Sequence, residues 1–427
     1  MSIPGRLKRT ARSLRALALL EIERRRTGAT YTPFGPEYWS NPYPMYRSLQ
    51  DGDRVHRSLL AKAWVLTRHE DVTGVLRDGR FLTDLRKLYR HTHATDQSVA
   101  DHTLDEQAEL PPTMLSLDPP DHTRLRALVG RAFSPRAVEA LRPRIREIVK
   151  QCLDDVRPAG EMDVIQDLAV PLSVTVIAEL LGVPPEDRER FKHWSDEMLL
   201  AIGYQTPNEL SRSDTAARQL ATYFRQVVEE RRQQPRDDLI SALLVAEEAG
   251  DSLSMDEVLA TCHLLLNAGH AMTTNFIGTG LLALLQHPDQ IELLRREPDL
   301  IGSATEELLR YDGPAQATSR FVLEDVQIGG QTIRAGEQVM LLLGAANRDS
   351  ARFTNPDSLD VTRRDNHHLA FGYGVHHCLG APLARVEAQI AFGAVIERFP
   401  KLRLGTERLD WDELMLVRSL RALPVTF

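Results

Sequence analysis

Near the C-terminus, residues 366–385 read NHHLAFGYGVHHCLGAPLAR, and this stretch restricts the possible folds more tightly than any other. It holds five metal-ligand side chains: His367, His368, His376, His377 and Cys378. A mixed zinc site would need ligands spaced to reach tetrahedral corners, usually as CxxC and HxxxH pairs. Neither spacing is present, and adjacent His376-His377-Cys378 sits awkwardly around a tetrahedral ion. The second arrangement is a single cysteine thiolate in a glycine-rich loop just before a helix. Gly372, Gly374 and Gly380 then let the backbone approach a flat cofactor closely. Loop amides can donate to the sulfur, and a helix N-terminus beyond it stabilises negative charge. Phe371 is placed to pack against the sulfur or the ring. A buried structural cysteine, the common fate of a lone thiol, leaves the glycine spacing unexplained.

Most of the remaining chain reads as helix. Apolar positions recur at three- and four-residue spacing over 122–154, 171–181, 213–233, 255–285 and 297–311, with Pro135, Pro143 and Pro171 marking starts or bends. Strands are short, at 63–67 and 339–343, and residues 321–337 read as a hairpin pair turning at Gly329-Gly330. Residues 83–117 are polar and lack a period, as functional or mobile loops do. No repeat or dividing linker stands out, so one mainly helical unit with a minor sheet is expected over 31–427, behind a basic extension over 1–30. That extension is Arg-rich at 6–26, with an apolar patch from Leu17 to Leu20. A solvated tail is expected there, against a targeting peptide or a membrane-surface helix.

Composition narrows the function. The 427 residues are 42% hydrophobic and 26% charged, ordinary for a globular chain. A net charge of −8 argues against general affinity for nucleic acid. The apolar runs fall short of the roughly 20 residues needed to span a bilayer. Three scattered cysteines, Cys152, Cys262 and Cys378, argue against a disulfide framework and fit a reducing cytoplasm.

The run from Phe371 to Gly380 resembles the haem-binding loop of cytochromes P450, FxxGxHxCxG. The resemblance implies that the Cys378 thiolate binds haem iron, where sulfur pushes electron density toward the iron and favours O–O cleavage. It further implies haem-binding roles for Phe371, Gly372 and Gly380. Glu307-Leu-Leu-Arg310 resembles the family's ExxR element, with Arg363 where the third partner falls, a triad that holds the proximal core together. The segment Asp118-Pro-Pro-Asp-His122-Thr-Arg-Leu-Arg126 resembles the entry to the family's C helix. By resemblance His122 and Arg126, together with Arg320 and His368, bind the haem propionates, where charge-assisted bonds are strong. The likeness covers roughly residues 36–427, and it implies a helix-rich triangular prism with a small sheet domain.

One stretch departs from the family. The helix that crosses the distal face of the haem usually carries an acid followed by a threonine. Here the run is Leu266-Asn-Ala268-Gly269-His270-Ala271-Met272-Thr273-Thr274-Asn275. Ala271 falls at the acid position and Met272 at the alcohol position, with Thr273 about 100° further round. Neither alanine nor methionine carries a proton. A register one residue over would put Thr273 at the alcohol position. Gly269 is expected to let this helix open or bend. Nearby, Gly278-Thr-Gly280 imitates a dinucleotide fingerprint but lies mid-helix, so helix packing is expected.

The resemblance implies haem b, O2 and a mid-sized organic substrate, of natural-product, terpene, steroid or fatty-acid type. No flavin or nicotinamide domain fits in the remaining length. Electrons are therefore expected from a separate ferredoxin or flavodoxin with its reductase, docking near basic residues such as Arg385 and Arg131. A monomer is expected. Ala271-Met272 keeps two alternatives open: peroxide-driven or non-hydroxylating chemistry (desaturation, coupling or rearrangement), and haem binding without turnover.

Overall fold

The computed structural model describes residues 17–92, 112–130, 133–199, 207–245, 247–248 and 251–427. The expected helices form as Asp121–Gly130, Pro135–Val156, Val170–Leu180, Pro207–Gln233, Met255–Leu285 and, after a 3-10 turn at Pro298–Leu300, Ile301–Asp312. Ser134 caps the second of them by accepting the Ala137 N–H, and Pro135 opens it, where a missing N–H costs nothing. Met255–Leu285 runs 31 residues behind a capping box in which Ser254 and Glu257 satisfy each other's backbone N–H. It is apolar on almost every side, so it runs through the interior with helices packed around it. Val170–Leu180, Ile301–Asp312 and Ala381–Arg398 all pack against it. A Cβ on Gly280 would lie 2.5 Å from the Phe392 ring, and one on Gly278 would lie 2.5 Å from Ile165 Cδ1. These glycines therefore serve helix packing, as expected.

A five-stranded sheet runs in the order Val55–Ser58, Ala63–Leu66, Gln338–Leu342, Ala317–Val322, Phe81–Leu82. Only the Ala63–Leu66 and Gln338–Leu342 pair is parallel, with Met340 opposite Val65. The predicted hairpin forms at Val326–Ile328 and Gln331–Ile333. Its turn residues Gly329 and Gly330 have φ of 55° and 80°, the left-handed geometry that a two-residue hairpin needs. The largest apolar cluster joins the long helices, and a second fills one side of the sheet.

Several short helices lacked a legible period, among them His69–Arg77, Leu85–Thr92 and Arg188–Leu199. Leu85–Thr92 occupies part of the expected 83–117 loop, and residues 93–111 lie outside the described residues. Residues 17–27 are helical and are docked onto the fold, not a solvated tail. Buried Glu23 accepts hydrogen bonds from Tyr31 N and Leu59 N, each at 2.8 Å, and pairs with His56 Nε2 at 2.8 Å. Among the described residues no helix is long and apolar enough to cross a membrane.

Candidate active site

Cys378 lies between the 3-10 turn Gly374–His376 and the helix Ala381–Arg398. Its backbone N–H donates to the Phe371 carbonyl at 2.9 Å, which closes the loop on itself. Gly372 and Gly374 make the turn possible, with φ of 69° and 72°, and a Cβ on Gly374 would collide with the Leu76 carbonyl. The sulfur accepts backbone N–H groups from Gly380 and Ala381 at the start of the helix. Burial raises the Cys378 thiol pKa, opposed by those two N–H groups and by the charges of Arg126 and Arg385. The Cys378 residue nonetheless keeps exposed surface. Gly380 has an ordinary φ of −79°, and no protein atom lies within 4 Å of where its Cβ would sit. Neither backbone nor packing explains a glycine there, whereas a flat ring lying against the sulfur does. Among the described residues no three His, Cys, Asp or Glu side chains converge as a metal site, so the zinc arrangement has no support.

Beside the loop lies a group of basic side chains, Arg126, Arg320, His122 and His376. His122 and His376 face each other with ring centroids 4.3 Å apart. His376 Nε2 is 3.6 Å from Asp118, and His122 Nδ1 is buried with no hydrogen-bond partner. Burial, then the neighbouring charges of His376 and Arg126, push the His122 pKa down to about 4. Among the described residues neither Arg126 nor buried Arg320 has a carboxylate within ion-pairing distance. Among the described residues Arg320 donates to the Ser319 carbonyl, at 2.7 Å, and the Thr318 hydroxyl, at 3.2 Å. Burial lowers the pKa of both guanidiniums. Desolvated cations without partners are costly, so the arrangement fits the carboxylates that a haem would bring. Asp118 is the acid nearest His376, 3.6 Å away. Burial works against its charge, but His376 and the N–H groups of Asp84 and Thr83 together hold its pKa below the usual range.

His368 does not join this group. Its Nε2 meets Glu306 at 3.1 Å, and Arg385 grips the same carboxylate with two bonds, at 2.7 and 2.8 Å. His376, two residues before the cysteine, stands where His368 was expected. The sequence offered both histidines in one loop, and only the acid on the neighbouring helix Ile301–Asp312 separates them. Arg385 is therefore already neutralised and is a poor candidate for docking an acidic partner. Arg131 lies outside the described residues.

The ExxR triad assembles as the resemblance implied. Glu307 and Arg310 are fully buried and paired at 2.8 Å, and Arg363 Nε adds a bond to Glu307 at 2.9 Å. The Asp360 N–H and the Asn366 amide also donate to Glu307, while Arg310 donates to the carbonyls of Asn347, Pro356 and Ser358. Every strong donor of this buried guanidinium is answered, which a buried ion pair requires.

The distal run sits in an unbroken α-helix, so Gly269 does not open it. A Cβ on Gly269 would lie 2.9 Å from Ile177 Cδ1, and the glycine instead admits the helix Val170–Leu180. Ala268 is exposed, and Ala271 and Met272 remain half-buried. Thr273 is 5% exposed, and its hydroxyl donates back to the Gly269 carbonyl at 3.3 Å. Thr274 is also buried, with its hydroxyl 3.4 Å from the Ala169 carbonyl. The more open positions are thus the two without a proton to give.

Comparison with known proteins agrees with this geometry. Residues 84–420 match the cytochrome P450 family model. Cytochrome P450 CYP107DY1 of Priestia megaterium is 46% identical over 86% of this chain and 90% of its own length. The vitamin D(3) 25-hydroxylase of Pseudonocardia autotrophica is 44% identical over 92% of this chain and 95% of its own. The crystal structure of P450BioI in complex with hexadec-9Z-enoic acid ligated acyl carrier protein superposes with a TM-score of 0.82, at 41% identity, over 92% of this chain and all (100%) of that one. A glycine-cradled cysteine, an internal ExxR triad and relatives matched almost end to end leave one conclusion: the chain belongs to the cytochrome P450 family, the haem-thiolate monooxygenases.

Proposed function

We propose that this monooxygenase binds haem b through Cys378 and oxidises a mid-sized organic substrate of lipid or natural-product type, using O2 and electrons from a separate ferredoxin or flavodoxin. The observation that carries the haem assignment is an N–H-cradled sulfur beside Arg126 and Arg320, which have no carboxylate within ion-pairing distance among the described residues, and beside His122, whose buried Nδ1 has no hydrogen-bond partner there. Arg126 and Arg320 would each bind a propionate, with His122 and His376 donating beside them. Phe371 and Gly380 would flank the sulfur. When bound, the haem supplies oxygen activation, which its thiolate ligand favours.

The chain's own part is to hold and shield. The N–H groups of Gly380 and Ala381 keep negative charge on the sulfur. The Glu307–Arg310–Arg363 triad fixes the segment that leads into the loop. At the distal helix, Ala271 and Met272 exclude water and donate nothing. The proton that the family's acid and alcohol deliver would then come from a hydroxyl on the substrate or from ordered water. One similar protein is named a vitamin D(3) 25-hydroxylase and another is seen with a hexadec-9Z-enoic acid ligated acyl carrier protein, and both names support a substrate of lipid type.

Carbon monoxide binding to the reduced protein tests the assignment. Wild-type protein should give the red-shifted Soret band of a thiolate-ligated haem, and Cys378→Ala should lose it completely along with turnover. A folded wild type without that band would end the proposal. Ala271-Met272 favours one second reading, peroxide-driven chemistry. Turnover with hydrogen peroxide that matches turnover with NADH and redox partners would support it.

A further inference from the structure

The Glu306–His368–Arg385 cluster has no role in the haem contacts above, yet its geometry is tightly defined. Glu306 accepts Arg385 Nε and Nη2 at 2.7 and 2.8 Å in a fork-to-fork pair. His368 Nδ1 accepts the Ala370 N–H at 3.2 Å, so its proton sits on Nε2 and points at Glu306, 3.1 Å away. Burial opposes the charge on Glu306, but His368 and Arg385 hold its pKa at about 2. Within the cluster the Glu306 carboxylate and the Arg385 guanidinium compensate each other's charge.

The same Arg385 guanidinium lies over the Phe371 ring, 4.5 Å from its centroid. The Phe371 carbonyl accepts the Cys378 N–H, so the ring and the sulfur are the two ends of one closed loop. Arg385 also stands one helical turn beyond Ala381, whose N–H reaches the sulfur, and its charge is felt there. We infer that Glu306, His368 and Arg385 form a positioning triad that clamps Phe371 over the ligand loop and holds the electrostatic potential at the Cys378 sulfur neutral to this corner of the protein. The inference rests on the proposed ligation of haem by Cys378.

Redox titration of the substrate-free holoprotein tests it. Glu306→Gln leaves the Arg385 charge uncompensated near the sulfur, so it favours the more negative reduced site and should raise the midpoint potential. Arg385→Gln leaves a carboxylate uncompensated and should lower it. A tenfold change in the ferric-to-ferrous ratio each way, about 59 mV for one electron, is expected. The Glu306→Gln/Arg385→Gln double variant should return close to wild type. Shifts of the same sign, or none, would reduce the cluster to a packing element and overturn the inference.

Where Arg385→Gln fails to take up haem, Arg385→Lys replaces it. Lysine keeps the charge but loses the flat fork over Phe371. Its potential should stay at the wild-type value, while the carbon monoxide complex should convert faster to its blue-shifted form. Unchanged conversion would remove the clamp. A wild type lacking the red-shifted band would instead remove the parent proposal, so the two failures are distinguishable.

Discussion

Around Cys378 the chain answers the Glu306 and Glu307 carboxylates with guanidiniums but leaves His122 Nδ1 without a hydrogen-bond partner among the described residues, whereas Ala271 and Met272 themselves present no proton donor at all. The proximal side holds two separate ion clusters, one centred on Glu307 and one on Glu306, and each ties the helix Ile301–Asp312 to the segment before the cysteine. The distal side is one smooth helix, its glycine filled by Ile177 and its threonine hydroxyls turned to backbone carbonyls. The contrast shows where this chain invests its specificity. On the proposed function, non-local charge pairs hold the ligand loop, while the reaction's proton supply would be left to the substrate or to ordered water.

Removing an ion from the proximal side should break the contrast most severely. Arg310→Ala leaves Glu307 buried with a single guanidinium, Arg363, and abandons three carbonyls. A loss of about 3–5 kcal/mol is expected, from the cost of stranding a buried charge. Chemical denaturation of the holoprotein and its haem content measure it. A loss under about 1 kcal/mol, the range of a surface pair, would show that the buried network does not hold the fold. The distal side should give less. Gly269→Ala puts a methyl 2.9 Å from Ile177 and should cost about 1–3 kcal/mol through overpacking. Its carbon monoxide spectrum should stay unchanged, because the change is sterically confined to the contact with Val170–Leu180. A spectral change with no loss of stability would mean that this glycine shapes the distal pocket after all.

The same contrast explains what could be read without a structure. The ligand loop was legible because its chemistry is local: a cysteine, the glycines around it and a following helix lie within a few residues. The central helix was legible at both ends, since apolar positions recur at three- and four-residue spacing over 255–285, the span of Met255–Leu285. Partner choice was not legible. His368 and His376 are both loop histidines, and which one faces the cations depends on Glu306, 62 residues upstream of His368. Glu387 is buried against the core, and that burial pushes its pKa up to about 8, which no local pattern reveals. Gly269 read as a point of flexibility because the space it leaves is filled by a side chain 92 residues earlier, which no local pattern reveals.

The smallest expected effect is the one that most sharpens the comparison. Replacing both distal residues, Ala271→Glu with Met272→Thr, restores the acid and alcohol to the half-buried positions of the central helix. If the substrate's own hydroxyl carries the proton in the native protein, the change should do little with a hydroxylated substrate. With a substrate analogue that lacks the hydroxyl, the wild type should lose most of its reducing equivalents as peroxide. The double variant should cut that loss about tenfold, less than the roughly hundredfold or more that a well-positioned acid or base contributes. The measurement is hydrogen peroxide released per NADH consumed, on each substrate, with the same redox partners. Equal peroxide yields for both proteins on both substrates would mean that protons reach the oxygen site by a path that ignores these positions. Ordered water held by the helix backbone would then be the supplier. A falling yield confined to the analogue would place the missing proton on the substrate, and the apolar distal face would be a filter for molecules that bring their own donor.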